Sequence, residues 1–373
     1  MKTLHKHIFP VFLTLLFLAS CEKEISFHRN DIPDQLQMNG LLTVGDTVHY
    51  VHLAVSRAML VEKITDGSVR CLVNGRQVAE GTAITYDAAS GEREEDMIIY
   101  NPSGTPAKRM RQTSFAFRAD FAPGDVVRIE AEANGGRYKA WSEVTVPDAP
   151  EIALKDTSST FERGSYLKQN MKLRLRGNDS AGERNLYRID GVRRNVTTTF
   201  HSRDAQWDST DPDNVTWIEH TRVEKHSDKM WIDLGTDPIL TEGMTVDELD
   251  LLGTSTNTYC VYSDHLFDGN DYDISFSVEW YNAPHSVGLF EKWRMESELA
   301  VRVMGITAAE YAYLKALDLY LNLGDDTVFA EPASFPDNVE GGLGFIGIAN
   351  PVTITIPLPP VEHEESGDEG ILY

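Results

Sequence analysis

His49 and His52 invite a metal site, but they stand three apart in an alternating apolar run. On a strand, residues three apart face opposite sides, so the pair could take one ion only across a bulge. Gly342-Leu343-Gly344-Phe345-Ile346-Gly347 spells G-x-G-x-x-G, the glycine pattern of a dinucleotide phosphate loop. That chemistry needs the loop to end a strand and open a helix, so that backbone amides meet phosphate. Here Asn350-Pro351 and a β-branched run follow at once, which reads as a tight turn. Asp268-Gly269-Asn270-Asp271-Tyr272-Asp273 begins like a calcium loop, with Asp268, Asn270 and Glu279 at its first, third and twelfth positions. Tyr272 then occupies the fifth position, which needs an oxygen, and Asp273 the sixth, which needs glycine. The segment reads instead as a hairpin turn, with Ile274, Phe276, Val278 and Trp280 facing inward and Glu279 outward.

A binding surface shows in one place. Asp204, Asp208, Asp211, Asp213 and Asn214 form an acidic run around Trp207 and Trp217, with Trp231 further on. Tryptophan beside a polar loop stacks on sugar rings or aromatic ligands, and carboxylates without EF-hand spacing can loosely hold Ca²⁺. Trp207, Asp208, Asp211, Asp213 and Trp217 are therefore the candidate ligand-binding residues; the competing reading is that the tryptophans fill a sandwich core. No H-E-x-x-H, G-x-S-x-G, Walker A or clustered Cys/His spacing occurs. No catalytic residue, metal ligand or cofactor is assigned, and the chain leans away from being an enzyme. A carboxylate pair of the glycosidase type carries no spacing rule, so a hydrolase hidden among the 58 acidic residues stays open as an alternative.

These groups must be positioned by strands. From Gln35 to Val146, short alternating segments separated by Asn and Gly turns predict an Ig-like antiparallel β-sandwich. Val146-Pro147-Asp148-Ala149-Pro150 stops pairing and bounds a first domain at 35–147. The remainder, 148–360, predicts a second β-rich domain with strands at Lys172–Arg176, Leu186–Val192, Val196–His201, Thr216–Val223, Asn257–Tyr262, Tyr272–Trp280 and Val352–Ile356. Embedded in it, Thr307-Ala308-Ala309-Glu310 is a capping box that opens an amphipathic helix near 308–323, with Tyr313, Leu314, Leu317 and Leu321 on one stripe. A weaker helix starts at Thr245, and the acidic tail 361–373 reads as disordered. Cys71 and Cys260 read as small apolar residues on separate strands rather than as a disulfide.

The chain opens with Lys2 and Lys6, a twelve-residue apolar run from Ile8 to Ala19, and Leu18-Ala19-Ser20-Cys21. That is a basic n-region, an apolar h-region too short to span a bilayer, and a small-residue cleavage site. Residues 1–20 are expected to be removed, leaving 21–34 as a tether. The cut resembles a lipobox, which implies a diacylglycerol thioether on Cys21 and an acyl chain such as palmitate on its new amine. Removal leaves 32 basic against 58 acidic side chains. A surface that acidic disfavours nucleic acid, whose binding relies on Lys and Arg displacing counterions.

Taken together, the lipobox, Asp34-Gln35-Leu36-Gln37-Met38-Asn39-Gly40-Leu41-Leu42, Asp264-His265-Leu266-Phe267-Asp268-Gly269, the Tyr-rich segment Tyr311 to Tyr320, Glu331-Pro332 and Asn338 through Gly347 resemble the DUF4249 lipoproteins of Bacteroidota, a family of unknown function. The resemblance covers nearly all of the mature chain, and it supplies no catalytic residues. It implies a protein anchored to the outer membrane through lipid, at the cell surface or alternatively facing the periplasm. It further implies a possible TonB-dependent transporter as partner. Glu22-Lys23-Glu24 resembles the acidic surface-export signal of the same bacteria. The expected function is a non-catalytic ligand-binding or accessory module of the cell envelope, with a glycan-active hydrolase or a pilus or adhesin subunit as the alternatives.

Overall fold

The computed structural model describes residues 33–57, 60–64, 66–84, 97–100, 106–110, 113–163, 167–182, 184–207, 215–242, 257–281, 292–322 and 335–363. The expected signal segment, Cys21, most of the expected tether, Asp208, Asp211, Asp213, the helix expected from Thr245 and the tail beyond His363 lie outside the described residues.

In chain order the strands are β1 (Gln35–Thr43), β2 (His49–Arg57), β3 (Leu60–Lys63), β4 (Gly67–Val73), β5 (Arg76–Glu80), β6 (Thr82–Ala83), β7 (Met97–Tyr100), β8 (Pro106–Met110), β9 (Thr113–Phe117), β10 (Val126–Ala133) and β11 (Tyr138–Thr145). After the Pro147–Pro150 connector come β12 (Glu151–Arg163), β13 (Leu167–Asn178), β14 (Leu186–Trp207), β15 (Val215–Lys229), β16 (Ile232–Asp233), β17 (Val261–Ser263), β18 (Asp271–Tyr281) and β19 (Lys292–Gly305). Helix α1 (Ala308–Asn322), β20 (Gly342–Leu343) and β21 (Ile346–His363) complete the described chain. The fold is mainly β.

An 11-stranded sheet runs β15-β14-β19-β21-β1-β2-β9-β6, with β17 on β14, β20 on β1 and β3 on β2. Two four-stranded sheets, β11-β10-β4-β5 and β12-β13-β18-β16, cover it. The first encloses a core of Leu36, Met38, Leu53, Phe115, Cys71 and Ile129. The second encloses Leu173, Phe276, Trp280, Ile189, Leu299 and Val301. Alternation is the cause: β10 and β18 bury every second residue, so each presents one apolar face. Val339, Ile346 and Ile348, from the far end of the chain, also fill the first core. This follows from β21, whose first residues run parallel to β1 while the rest pair antiparallel with β19. One strand therefore spans both sandwiches.

Beyond Ala349, β21 pairs on one side only among the described strands. Pro351, Pro357, Pro359 and Pro360 remove amides along it, which blunts that edge against stray pairing. Helix α1 sits on the outer face of the large sheet, where Leu314 joins Leu186, Val261, Met304, Ile306 and Ala349.

Several expected boundaries are corrected. Leu186–Val192 and Val196–His201 form one strand, β14, because Arg193 and Asn195 face inward and are matched by Asp228 at 3.4 and 2.9 Å. Asn257–Cys260 is a turn, not a strand: Cys260 has φ of 52° and the Asn257 side chain accepts from Val261 N at 3.0 Å. Val361–His363, expected in a disordered tail, belong to β21, where Glu362 accepts from Arg294 at 3.0 Å. Leu317 is only partly buried; the covered stripe of α1 is Glu310, Leu314 and Asp318.

Candidate functional site

Two connections meet at one end of the second sandwich. The first follows β13 and carries Asp179 and Asn185; the second is a 3-10 turn, Asp264–Leu266, leading through Phe267–Asn270 into β18. Backbone bonds clasp them, Asp264 N to Asn185 O at 3.1 Å and Asp179 N to Asn270 O at 3.3 Å. Asp179, Asp264 and Asp268 are thereby brought together, with one oxygen of each within 4.8 Å of the others. Among the described residues no Lys or Arg pairs with them.

What three converging carboxylates can do depends on which oxygens are occupied. Asp179 Oδ1 accepts from Tyr187 Oη at 2.8 Å and Asn185 Nδ2 at 3.1 Å, and its Oδ2 accepts from Gly269 N at 3.0 Å. Asp264 Oδ2 accepts from Asn185 N at 2.6 Å, and Asp268 Oδ1 from Gly182 N at 3.0 Å. The cluster could offer oxygen to a divalent cation, although three carboxylates fall short of the six to eight ligands calcium takes. Asp179 and Asp264 are buried, and both Asp179 oxygens, Asp264 Oδ2 and Asp268 Oδ1 already accept from backbone or side-chain donors. The arrangement works as a hydrogen-bonded clasp that orders both loops. Asp179→Ala is expected to lower stability by about 2 kcal/mol, because the Tyr187 hydroxyl and Gly269 amide would lose their acceptor; urea unfolding followed by circular dichroism measures it.

Sequence reasoning treated Asp268 as part of a hairpin turn and did not bring Asp179 or Asp264 to it. The approach spans 79 residues between Asn185 and Asp264, so no local spacing rule could reveal it. Tyr187 packs in the same place, stacked on Tyr262 at 5.1 Å, while Phe267 stacks on Tyr272 at 3.9 Å.

The other candidates scatter. His49 Nε2 donates to Ala119 O at 2.9 Å inside the first core, whereas His52 Nδ1 hydrogen-bonds Ser114 Oγ at 2.8 Å. Gly342 and Leu343 pair in parallel with β1, and Gly347 lies within β21, so no helix follows the glycines. In the long β14–β15 hairpin Trp207 stands opposite Val215, and Trp217 opposite Ala205. Asp208, Asp211 and Asp213 between them lie outside the described residues. Trp231 is 54% exposed, which removes it from the core. Cys71 and Cys260 are unbridged, and burial pushes both thiols up to about 12, which leaves neither as a thiolate nucleophile at neutral pH.

A second polar cluster holds α1. Thr307 Oγ1 accepts from Glu310 N at 3.1 Å, so the expected cap forms. The Glu310 carboxylate turns away from its own helix to meet Arg188 of β14 at 3.0 Å. The contact is poorly aligned, and neither Glu310 oxygen receives a well-directed hydrogen bond. Burial holds this carboxyl above its usual range, and the Arg188 charge draws it partly back. Further along, Asp318 accepts from Thr258 N at 3.1 Å, and Tyr311 and Lys315 both donate to Glu242.

Comparison with known proteins places these features in a family. A family model described as a domain of unknown function, DUF4249, matches residues 22–355. No curated protein matches the chain. A solved structure of a DUF4785 family protein from Legionella pneumophila is similar at 7% identity and a TM-score of 0.21, covering 72% of this chain and 52% of that one. The chain thus spans about half the length of that structure.

Proposed function

The chain belongs to the DUF4249 family, and from that premise we propose that it is a lipid-anchored protein of the bacterial outer membrane, serving as a ligand-binding or accessory module beside a TonB-dependent transporter. The observation that carries the reading is the opening segment: Lys2 and Lys6, the apolar run from Ile8, and Leu18-Ala19-Ser20-Cys21, followed by 13 residues before the first strand begins at Gln35. Two or three acyl chains on Cys21 would hold the body at a membrane without a spanning helix. Among the described residues no helix is long and apolar enough to cross one. The acidic body supports a role that does not involve nucleic acid.

The test is direct. Protein extracted from membranes of the producing cell should lack residues 1–20 and carry diacylglycerol and acyl mass on Cys21, and Cys21→Ala should move it from the membrane to the soluble fraction. An unmodified Cys21 on an otherwise mature chain would refute the anchor. For the partner, gentle detergent extraction of the tagged protein should bring down an outer-membrane transporter; a solitary protein would remove that part.

A further inference from the structure

The outer face of the β12-β13-β18-β16 sheet carries two exposed aromatic rings set among polar side chains. Along β18 the residues alternate, so Val278 and Trp280 point into the core while Ser277, Glu279 and Tyr281 point out. β16 pairs Ile232 with Val278, and the chain just before it keeps the alternation. Met230 and Ile232 are buried, and Trp231 between them is 54% exposed, as is Tyr281. Continuing the register by one residue sets Trp231 beside Glu279, one strand across and two residues along from Tyr281. That geometry separates the two Cβ atoms by roughly 8 Å. On the other side of β18, Lys168 stands opposite Tyr281 and Asn170 opposite Glu279.

What stands between the rings decides what they take. Lys168 Nζ lies 2.7 Å from Glu279 Oε2, so donor and acceptor are present there with their charges balanced. Asn170 adds an amide and Ser277 a hydroxyl, each able to donate and to accept. Among the described residues Trp231 and Tyr281 are the only large apolar side chains exposed on this face, since Leu154 pairs with buried Leu175 on the inward side and Val223 belongs to β15. The core of a protein interface is contiguous in apolar area and poor in charge, which this face is not. Arg174 and Arg176 are paired with Asp273 and Asp271, so no cluster of unpaired cations is offered to an anionic lipid. Separated rings with amide, hydroxyl and paired charge between them match a sugar chain. One face of a pyranose is C–H and stacks on an aromatic ring, while its rim hydroxyls donate and accept.

We infer that this face is a glycan platform, on which Trp231 and Tyr281 stack against two rings of an uncharged, β-linked polysaccharide while Lys168, Asn170 and Glu279 bind the hydroxyls between them. The inference rests on the ligand-binding reading and names its ligand class. An open sheet face favours an extended chain, because a chain that coils away from the sheet meets only one of the two rings. The platform is rigid before anything binds. Met230, Ile232, Val278 and Trp280, the inward neighbours of the two rings, all belong to the second core, and Arg193 of β14 donates to Tyr281 O at 3.2 Å. Tyrosine and tryptophan also present a large contact area with only two side-chain torsions to fix, which keeps the entropy lost on binding small.

Isothermal titration of the chain from Glu22 to Tyr373 with cellohexaose, xylohexaose and maltohexaose tests this. Cellohexaose or xylohexaose should bind, and the coiling α-linked maltohexaose should bind about tenfold more weakly. Trp231→Ala and Tyr281→Ala should each weaken binding by about tenfold. Both rings are exposed, so the urea midpoint of each variant should stay at that of the parent chain. Trp231→Phe, which keeps a flat ring, should lose less than Trp231→Ala. Absence of binding by all three hexaoses would overturn the platform, and equal binding of maltohexaose would overturn its choice of an extended chain. Hexaose binding that Trp231→Ala and Tyr281→Ala both leave intact would also overturn the platform, while leaving the ligand-binding reading standing on another surface. The lipid on Cys21 and the transporter partner are read separately, from the mass and the companions of the extracted protein.

Discussion

Arg188→Ala is expected to destabilise the folded chain by about 3–5 kcal/mol at neutral pH, the cost of stranding one member of a buried ion pair. Its partner Glu310 is 0% exposed, and Arg188 supplies the cation 3.0 Å from it. The helix cannot simply turn the carboxylate to water. Glu310 Oε2 lies 2.7 Å from where a Cβ on Gly347 would stand, so the group is wedged between α1 and β21. The pH dependence distinguishes this cause from lost packing. Burial raises the Glu310 carboxyl in the folded state, so the stability associated with its protonated form is present below the unfolded carboxylate range and is lost as pH rises through the folded value. Without Arg188 the folded value climbs further. The deficit of the variant should therefore be largest at neutral pH and shrink as the medium is acidified and Glu310 takes up a proton. Adding Glu310→Gln to Arg188→Met should recover most of the loss, because neutral residues of similar volume replace buried pairs at little cost. Urea unfolding of the single and double variants across pH measures it, and a deficit that does not change with pH would mean packing, not charge, is what Arg188 contributes.

The same pair shows where the sequence is legible and where it is not. Thr307-Ala308-Ala309-Glu310 announces the start of α1, because a cap is a local device and its partners are three residues apart. What Glu310 then does is not local: its carboxylate is claimed by Arg188, 122 positions earlier. The strands divide in the same way. β10 and β18 alternate cleanly and can be read, whereas β14 hides its continuity behind Arg193-Arg194-Asn195, whose polarity reads as a break until Asp228 is placed beside it. β12 escaped because it is an edge strand, exposed on both faces from Ala153 to Thr160, so it carries no apolar alternation. β19 did carry the signal, since Trp293, Met295, Leu299, Val301 and Val303 alternate with Arg294, Glu296, Glu298 and Arg302. The Asp179, Asp264 and Asp268 clasp needed the folded loops, because nothing in a lone Asp marks which distant amide it will accept from.

The junction of the two sandwiches carries the second large effect, and it turns on one missing methyl group. A Cβ on Gly305 would stand 2.0 Å from Asp148 O, so the connector between the sandwiches crosses the end of β19 in direct backbone contact. The connector is held there by Asn350 Nδ2, which donates to Pro147 O at 2.9 Å. Asn350 in turn pairs with Gly305 in the sheet, so the linker, β19 and β21 converge on one point. Gly305→Ala must displace backbone on one side or the other, with no flexible side chain to give way, and is expected to cost about 3 kcal/mol. Gly191→Ala in β14 is the control: its Cβ would meet Met230 Cβ at an ordinary 3.4 Å, so a change within about 1 kcal/mol is expected, with the smaller unfolded-state entropy of alanine acting in its favour. Arg302 determines what happens after the linker moves. It donates to both oxygens of Asp190 at 2.8 and 2.6 Å and reaches Asp46 of the first sandwich at 3.5 Å. β21 and Arg302 still join the sandwiches when the connector is displaced, so Gly305→Ala should unfold in one transition at a lower urea midpoint. Two resolved transitions would show instead that the Pro147–Asp148 connector, rather than the shared strand, couples the two halves.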